Sequence, residues 1–407
     1  MGLENYFWGE SMIELTMEQI RYYRLHAHHL DRFYEPADLM SVTGACGLQN
    51  TPPGAWETAL FNRIPAYSKA AANQLLADKH LLQAWSLRGL PLVFPSEESD
   101  IFLSALSAAE DEPWIYTKGI SLALKLLEMD FDEVLALLLQ VMPQLDHQII
   151  TSKAVLDETI AGWLLPLLPK AKQTIWQQPS IYGSPDKQTI GGAVVSFMLR
   201  PCAAKGLVVF GERHNQTPTF TSYRNWLGHP LKERPDANKQ LMRKFLHCYG
   251  PATRKELIQW LGCSPKQGSR LWDLLAEERV KVMADGRQAF MLAEDLTDLM
   301  KPCQPEREYL LLGGHDPYLD QRDRLTLLPD KRHHAKIWQL VSNPGAIVYH
   351  GEIIGSWTSR KQNQGIMIQM QVWQTKADTE KLLELAAAYA KSKAVKLLNV
   401  NITKTPD

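Results

Sequence analysis

The stretch that decides the fold is Gly47–Pro95, and two segments within it carry the signal: GLQNTPPGAWETALFNR (47–63) and LLQAWSLRGLPLVFP (81–95). Pro52-Pro53-Gly54 excludes helix, so the first segment closes one helix and opens the next across a polar turn. The second segment predicts a β-hairpin directly after a helix. A helix–turn–helix followed by a two-stranded wing is a winged helix, which is mostly a nucleic-acid-binding fold.

The composition predicts a folded, multidomain protein. The chain has 407 residues, 45% of them hydrophobic, and a net charge of −1. This length suits about two to four domains, and so many apolar residues argue against disorder. The first residues predict no signal peptide, and no apolar run approaches the ~18 residues of a membrane span. Because the five cysteines are scattered without metal-ligand spacing, we expect reduced thiols and a cytoplasmic protein. We also expect a monomer that needs no metal or organic cofactor.

The winged-helix pattern recurs along the chain. Its clearest copy has strands 279–283 and 288–292 joined by Asp285-Gly286, a favoured hairpin turn. The last hundred residues instead predict strands and one amphipathic helix, Thr375–Lys391. We therefore predict an α+β fold with tandem winged-helix motifs followed by a small C-terminal β-barrel. The predicted parts are a tail at 1–16, winged helices at 17–115, 116–230 and 231–300, and a barrel with one helix at 301–407.

Several short motifs occur in a characteristic order: Gly47-Leu48-Gln49, Ala55–Arg63, Trp85-Ser86-Leu87-Arg88-Gly89, Tyr249-Gly250-Pro251-Ala252, Trp260, His315-Asp316-Pro317 and Val348–Trp357. This set resembles the winged-helix family that includes bacterial alkylpurine and interstrand-crosslink DNA glycosylases, and it extends over nearly the whole chain. The resemblance implies a concave, positively charged channel for duplex DNA. It also implies hydrolysis of the N-glycosidic bond of purines alkylated at N7.

The same resemblance marks Gln49 and Thr51 as the catalytic pair, with Asn50 between them. In the family this pattern is a glutamine, an apolar residue, and then glutamine or aspartate, at the end of a helix. Paired amides or a carboxylate can hold a water against the sugar as a cationic base leaves. The short hydroxyl of Thr51 should do this less well. A second departure is that Leu90 and Leu92 stand where relatives often carry threonine and histidine.

Charge is distributed unevenly, and this asymmetry suggests where DNA would bind. Acidic residues dominate between positions 95 and 160, whereas basic residues dominate between 228 and 281. Clustered cations on winged-helix helices are typical phosphate contacts, although a solvated face would leave the same pattern. Arg88 is either a phosphate contact or a salt-bridge partner of a neighbouring carboxylate. The candidate DNA-binding residues are Arg88, Lys239, Arg243, Lys244, Arg254, Lys255, Lys266 and Arg270.

Two further features have competing interpretations. The resemblance marks Asp316 as a family-motif residue, but an Asp before Pro317 also favours an Asx-turn. The histidines at 26, 28 and 29 form a cluster that suggests a metal, yet no other ligand type stands at usable spacing.

Three hypotheses for function follow. The first is a DNA glycosylase acting on double-stranded, alkylated DNA, with Gln49 positioning water. The second is a non-catalytic DNA-binding protein on the same scaffold, a lesion sensor or transcriptional regulator. The third is a protein-interaction scaffold, which the acidic region between 95 and 160 favours and which predicts no salt-dependent DNA binding.

Overall fold

A computed structural model shows that the protein has a mixed α+β fold. The structure describes residues 12–114, 118–180, 188–214, 217–339, 342–362, 365–374 and 377–405. The α-helices in these ranges are α1 (Met17–Ala27), α2 (Leu39–Gly44), α3 (Ala55–Arg63), α4 (Lys69–Ala77), α5 (Ser99–Phe102), α6 (Lys118–Leu127), α7 (Phe131–Val141), α8 (Lys153–Leu164), α9 (Lys170–Trp176), α10 (Ile190–Ala204), α11 (Tyr223–Leu227), α12 (Ala237–Tyr249), α13 (Arg254–Leu261), α14 (Pro265–Asp273), α15 (Leu296–Met300), α16 (Arg324–Leu327), α17 (His334–Ile337) and α18 (Thr379–Ser392). None of them is long and apolar enough to cross a bilayer.

The β-strands in the same ranges form four sheets. Three sheets have three strands each, in the orders β2-β4-β3, β5-β7-β6 and β1-β8-β9, and the fourth has five. The strands are β1 (Glu14–Leu15), β2 (Leu48–Gln49), β3 (Leu81–Trp85), β4 (Pro91–Pro95), β5 (Ile150–Thr151), β6 (Val209–Phe210), β7 (Thr219–Thr221), β8 (Arg279–Ala284), β9 (Arg287–Leu292), β10 (Tyr309–Leu312), β11 (Gly345–Tyr349), β12 (Glu352–Gln362), β13 (Gly365–Val372) and β14 (Lys396–Lys404).

Local sequence signals explain the bounds of several of these elements. Thr16 and Gln19 form a capping box at the start of α1. Antiparallel β3 and β4 form the hairpin that the sequence predicted directly after a helix. Asp285 and Gly286 both have positive φ, as a two-residue hairpin turn between β8 and β9 requires.

The segment predicted as a tail has a structured end. Residues 1–11 of that prediction lie outside the described ranges. Glu14 and Leu15 form β1, which pairs in parallel with Met283 and Ala284 of β8. The end of the predicted tail therefore belongs to the third small sheet.

The predicted C-terminal β-barrel is wrong, because the five strands form an open sheet. Their order is β10-β11-β12-β13-β14, and in the described ranges β10 and β14 are its unpaired edges. The chain leaves β13, crosses through α18 and returns as β14 parallel to β13. A helical crossover of this kind adds a strand at the outer edge, so it widens the sheet and does not close it.

Both faces of the C-terminal sheet are covered by apolar side chains. Along β10, Leu310 and Leu312 pack with Tyr318 and Leu327 on one face, whereas Leu311 packs toward α18 on the other. This alternation is the period-2 pattern of a strand buried on both sides. The first of these faces is continuous with the end of α1, which brings residues near 316 beside the N-terminal elements.

Candidate functional site

A cavity of about 290 Å³ lies where the first hairpin, α12, α13 and the segment from 314 to 343 meet. It is lined by Cys46, Gly47, Gln49, Leu87, Arg88, Leu92, Tyr249, Trp260, Gly314, His315, Asp316, Pro317, Leu319, Asp320, Arg322, Arg324, Trp338, Gln339 and Asn343. The family motifs quoted from the sequence, which are far apart along the chain, therefore meet at one cavity.

Gln49 reaches this cavity from β2, a short strand, and not from the end of a helix. Its Nε2 donates a hydrogen bond to the Thr51 carbonyl oxygen at 3.3 Å. In the described part of the chain, Oε1 of Gln49 receives no hydrogen bond, so it is available to accept one from a water. The hydrogen bond through Nε2 restrains the direction in which that oxygen points.

The two residues that follow Gln49 do not line the cavity. Asn50 is buried, and its amide donates to Oε1 of Gln83 at 3.0 Å and accepts from the Gly54 nitrogen at 2.7 Å. These bonds hold the proline-rich turn against β3. Thr51 is not among the residues that line the cavity. Of the predicted pair, only Gln49 presents its side chain there.

An apolar strand lies opposite Gln49. Leu92 of β4 pairs with Gln49 in the antiparallel register and is 4% exposed. A Cβ added to Gly47, which has φ +69°, would lie 2.8 Å from Leu92 Cδ2. The buried Leu92 side chain therefore presents an apolar surface beside Gln49, and the positive φ at position 47 favours glycine there.

The polar wall of the cavity is an ion-pair network centred on Asp320. Arg88 Nη2 lies 2.5 Å from Asp320 Oδ2, and Arg88 Nη1 donates to the Trp260 carbonyl oxygen. Arg322 Nη2 donates to Asp320 Oδ1 at 2.7 Å. Both interpretations of Arg88 therefore stay open, since it forms a salt bridge and still lines the cavity. Burial lowers the pKa of His315 in the same wall, and so favours its neutral imidazole.

Asp316 is buried beneath the cavity and forms the Asx-turn that the sequence predicted. Its Oδ1 accepts a hydrogen bond from the Tyr318 nitrogen at 3.0 Å. The same carboxylate binds Arg63 of α3 through two hydrogen bonds of 2.8 and 2.9 Å. Both side chains are almost fully buried. Asp316 thus joins the C-terminal segment to the helix that follows Gln49.

Most of the predicted DNA-binding cations are paired with carboxylates. Lys239 and Arg243 both contact Glu278, Arg243 also contacts Glu294, and Lys244 contacts Glu98 at 3.0 Å. Two other pairs reach the acidic region of the sequence, namely Lys266 with Asp111 and Arg270 with Glu112.

The two remaining cations of that set lie at the start of α13. Arg254 and Lys255 are exposed and have no carboxylate partner among the described residues. Of the seven predicted cations between 239 and 270, these two present uncompensated charge.

The fold also assembles a group that the sequence spacing did not reveal. Ligand atoms of His28, Cys46 and Cys248 all lie within 4.8 Å of one another. The scattered cysteines gave no such signal, because the three residues belong to different elements. His26 is held elsewhere, with its Nδ1 2.9 Å from Asp31.

Comparison with known proteins decides the family. Residues 42–392 match the family described as DNA glycosylase AlkZ-like. The chain belongs to the AlkZ-like DNA glycosylase family. An interstrand DNA cross-link repair glycosylase from Streptomyces sahachiroi is 25% identical over 363 residues, which are 85% of this chain and 88% of that protein. The solved structure of the Streptomyces sahachiroi DNA glycosylase AlkZ matches with a TM-score of 0.76 and 21% identity, over 96% of this chain and all of that chain.

Membership in the AlkZ-like family confirms the resemblance drawn from the ordered motifs. The family match spans Gln49, Arg88 and the whole cavity. Sequence reasoning missed Asp320, Arg322 and Arg324, although they follow the His315-Asp316-Pro317 motif by only a few residues. The signal was present as a charged run, Asp320-Gln321-Arg322-Asp323-Arg324, directly after a recognised motif.

Proposed function

We propose that this member of the AlkZ-like family is a monofunctional DNA glycosylase that hydrolyses the N-glycosidic bond of N7-alkylated purines in duplex DNA. The observation that carries the proposal is the position of Gln49 in a cavity that also presents Arg88, Arg322 and Arg324. Its volume of about 290 Å³ is near the lower end of small-molecule sites, which begin at about 300 Å³.

In the proposed reaction, Gln49 Oε1 accepts a hydrogen bond from the attacking water. A purine alkylated at N7 is already cationic, so it leaves as a neutral base without needing a proton. The water oxygen bonds to the anomeric carbon, and the water proton passes to solvent. We assign Thr51 a supporting role through its carbonyl oxygen, which restrains the Gln49 amide, and not through its hydroxyl. The chemistry therefore depends mainly on positioning.

We propose that DNA contacts the start of α13, where charge is least compensated, and the mouth of the adjoining cavity. Arg254 and Lys255 are the exposed cations there, and Arg88, Arg322 and Arg324 line the cavity itself. To bind DNA, the other predicted cations would have to exchange a carboxylate partner for a phosphate; they are Lys239, Arg243, Lys244, Lys266 and Arg270. We accordingly propose that the segments of helices followed by a hairpin are winged helices. The protein would bind duplex DNA as a monomer, mainly through α13 and the rim of the cavity.

The alternative function is a non-catalytic DNA-binding protein, and one pair of observations favours it. Thr51 does not line the cavity and Leu92 is apolar, so the described cavity lacks the second polar group expected beside Gln49. Such a protein would bind alkylated DNA without releasing a base.

The deciding experiment measures base release from a duplex that carries one N7-methylguanine, and from a duplex joined by an N7-linked interstrand cross-link. The second substrate follows from the cross-link repair glycosylase found as a relative. Wild type is compared with Gln49→Ala and with Gln140→Ala, an exposed glutamine remote from the cavity. Release by wild type and Gln140→Ala but not by Gln49→Ala supports the proposal. Salt-sensitive binding with no release from either substrate identifies the non-catalytic alternative.

A further inference from the structure

Three metal-ligating side chains converge in the interior, next to the cavity. His28 follows α1, Cys46 lies between α2 and β2, and Cys248 belongs to α12. They are 2%, 6% and 0% exposed, and their ligand atoms lie within 4.8 Å of one another. Buried Cys and His at this separation, supplied by three distant segments, have the donor set of a zinc site.

One ring nitrogen of His28 lacks a hydrogen-bond partner among the described residues, and this nitrogen, Nε2, is buried. A buried polar atom without a partner costs free energy, and each such atom in a native protein needs an explanation. The ring is fixed by edge contacts with Tyr249 and Tyr318, whose centroids lie 5.0 and 5.5 Å away.

The Cys248 thiol also has only weak hydrogen-bond partners. Its Sγ lies 3.6 Å from the Ala45 carbonyl oxygen and 3.8 Å from the Ala27 carbonyl oxygen. A sulfur that is fully buried and so weakly engaged is free to turn toward a metal.

We propose that His28, Cys46 and Cys248 bind one Zn²⁺ ion. Typical Zn–S and Zn–N distances of about 2.3 and 2.0 Å place tetrahedral ligand atoms roughly 3.5–3.8 Å apart, so the three donors need to close in only slightly. Binding converts both thiols to thiolates and releases two protons to solvent. Two thiolates then neutralise the dipositive ion, which avoids a net buried charge.

The proposed zinc site adjoins the cavity that contains Gln49. Cys46 also lines the cavity that contains Gln49, so a solvent molecule from that side can supply the fourth ligand. The ion would join α1, α12 and the segment that leads into β2. Because these are the elements that support the candidate active site, zinc would stiffen that wall whether or not the protein releases bases.

The test uses the full chain, purified under reducing conditions without chelators or an affinity tag that binds metals. Zinc is quantified by mass spectrometry after incubation with ZnCl₂ and gel filtration. Zinc-free protein is also titrated with Co²⁺, whose thiolate complexes absorb in the near ultraviolet. We expect about one ion per chain, and a loss of at least roughly tenfold in bound metal for Cys248→Ser and His28→Gln.

The matched control is Cys202→Ser, which removes another fully buried cysteine that lies outside the cluster. It should bind metal like wild type. Absence of bound zinc and of a cobalt–thiolate band in reduced, folded wild type would overturn the proposal, as would undiminished zinc in Cys248→Ser. If the cluster variants fail to fold, the wild-type cobalt spectrum decides, because a band that zinc abolishes requires cysteine ligands.

Discussion

Arg63 and Asp316 form a buried, two-point ion pair, with nitrogen–oxygen distances of 2.8 and 2.9 Å. Arg63 ends α3, the helix that follows Gln49, whereas Asp316 belongs to the motif after β10. The Arg63 guanidinium also donates to the carbonyl oxygens of His28 and Ala59. The pair therefore fixes the two halves of the cavity wall relative to each other.

Asp316→Asn should destabilise the protein strongly. Asparagine keeps the hydrogen bond from the Tyr318 nitrogen but leaves the Arg63 charge buried without its counterion. Removing one partner of a buried pair typically costs about 3 to 5 kcal/mol. Urea denaturation followed by circular dichroism measures this change. Glu384→Gln, which breaks an exposed pair with Lys381, is the control and should change the midpoint little. Equal effects of the two substitutions would contradict the prediction.

Gly47→Ala should lower both stability and base release. The left-handed backbone costs a non-glycine residue about 1–2 kcal/mol, and the new methyl group would also press on Leu92. Since Leu92 pairs with Gln49, the displacement reaches the proposed catalytic amide. Gly286→Ala has a similar positive φ but open space around it, so it isolates the backbone cost. If both variants release bases at the same rate, the Leu92 contact has no functional role.

Glu112→Gln should reduce stability in a pH-dependent way. The Arg270 guanidinium, at 2.6 and 2.9 Å, holds the pKa of the buried Glu112 carboxyl below its usual 4.5. A depressed carboxyl pKa contributes stability that is fully present above pH 4.5 and is lost as pH falls through the folded-state pKa. The variant should therefore be less stable than wild type at pH 7 by about 1.5 kcal/mol, with the gap closing below pH 4.5.

Thermal unfolding of the two proteins from pH 7 to pH 3 measures that gap. Asp111→Asn is the control, because both side chains of the Asp111–Lys266 pair are exposed to solvent. A difference between wild type and Glu112→Gln that stays constant over the whole pH range would rule out the ion pair as its cause.

The sequence predicted those elements whose signals are local. Gly250-Pro251 separates helix α12 from helix α13, and Thr253 caps the start of α13, so both ends follow from residues next to them in the sequence. The β8–β9 hairpin follows from Asp285-Gly286 in the same way. These signals act within a few residues, so they are independent of the rest of the fold.

Features that depend on distant pairing were not predictable. Whether the C-terminal strands close into a barrel depends on which strand pairs with β14. The alternating pattern of residues in β14 does not identify that partner, which is β13 in the structure. The carboxylate partners of Lys266 and Arg270 lie more than 150 residues away in the sequence, at Asp111 and Glu112. Cys46 and Cys248 likewise meet only in the folded chain. A run of charges therefore predicted a DNA surface where the fold largely places ion pairs.

Uncompensated cations should contribute most to DNA binding. Lys255→Ala and Arg254→Ala should each weaken binding and reduce the slope of log K against log salt by about 0.9, the change expected for one phosphate contact. Lys239→Ala is the matched control on a neighbouring helix, because this lysine already contacts Glu278. Fluorescence anisotropy at several salt concentrations gives both quantities. A larger slope change for Lys239→Ala than for Lys255→Ala would show that the ion pairs open on DNA.

The two residues of the proposed catalytic pair should behave differently. Gln49→Ala removes the only side chain of the pair that reaches the cavity, so base release should fall by about 10²-fold or more, as when a positioning group is lost. Thr51→Ala keeps the carbonyl that holds the Gln49 amide, so release should stay within about threefold of wild type, a change of roughly 0.6 kcal/mol. The comparison uses the single-turnover rate of base release from a duplex that carries N7-methylguanine, and DNA binding by each variant is measured separately. Equal losses in the two variants would mean that the Thr51 hydroxyl acts on the water directly.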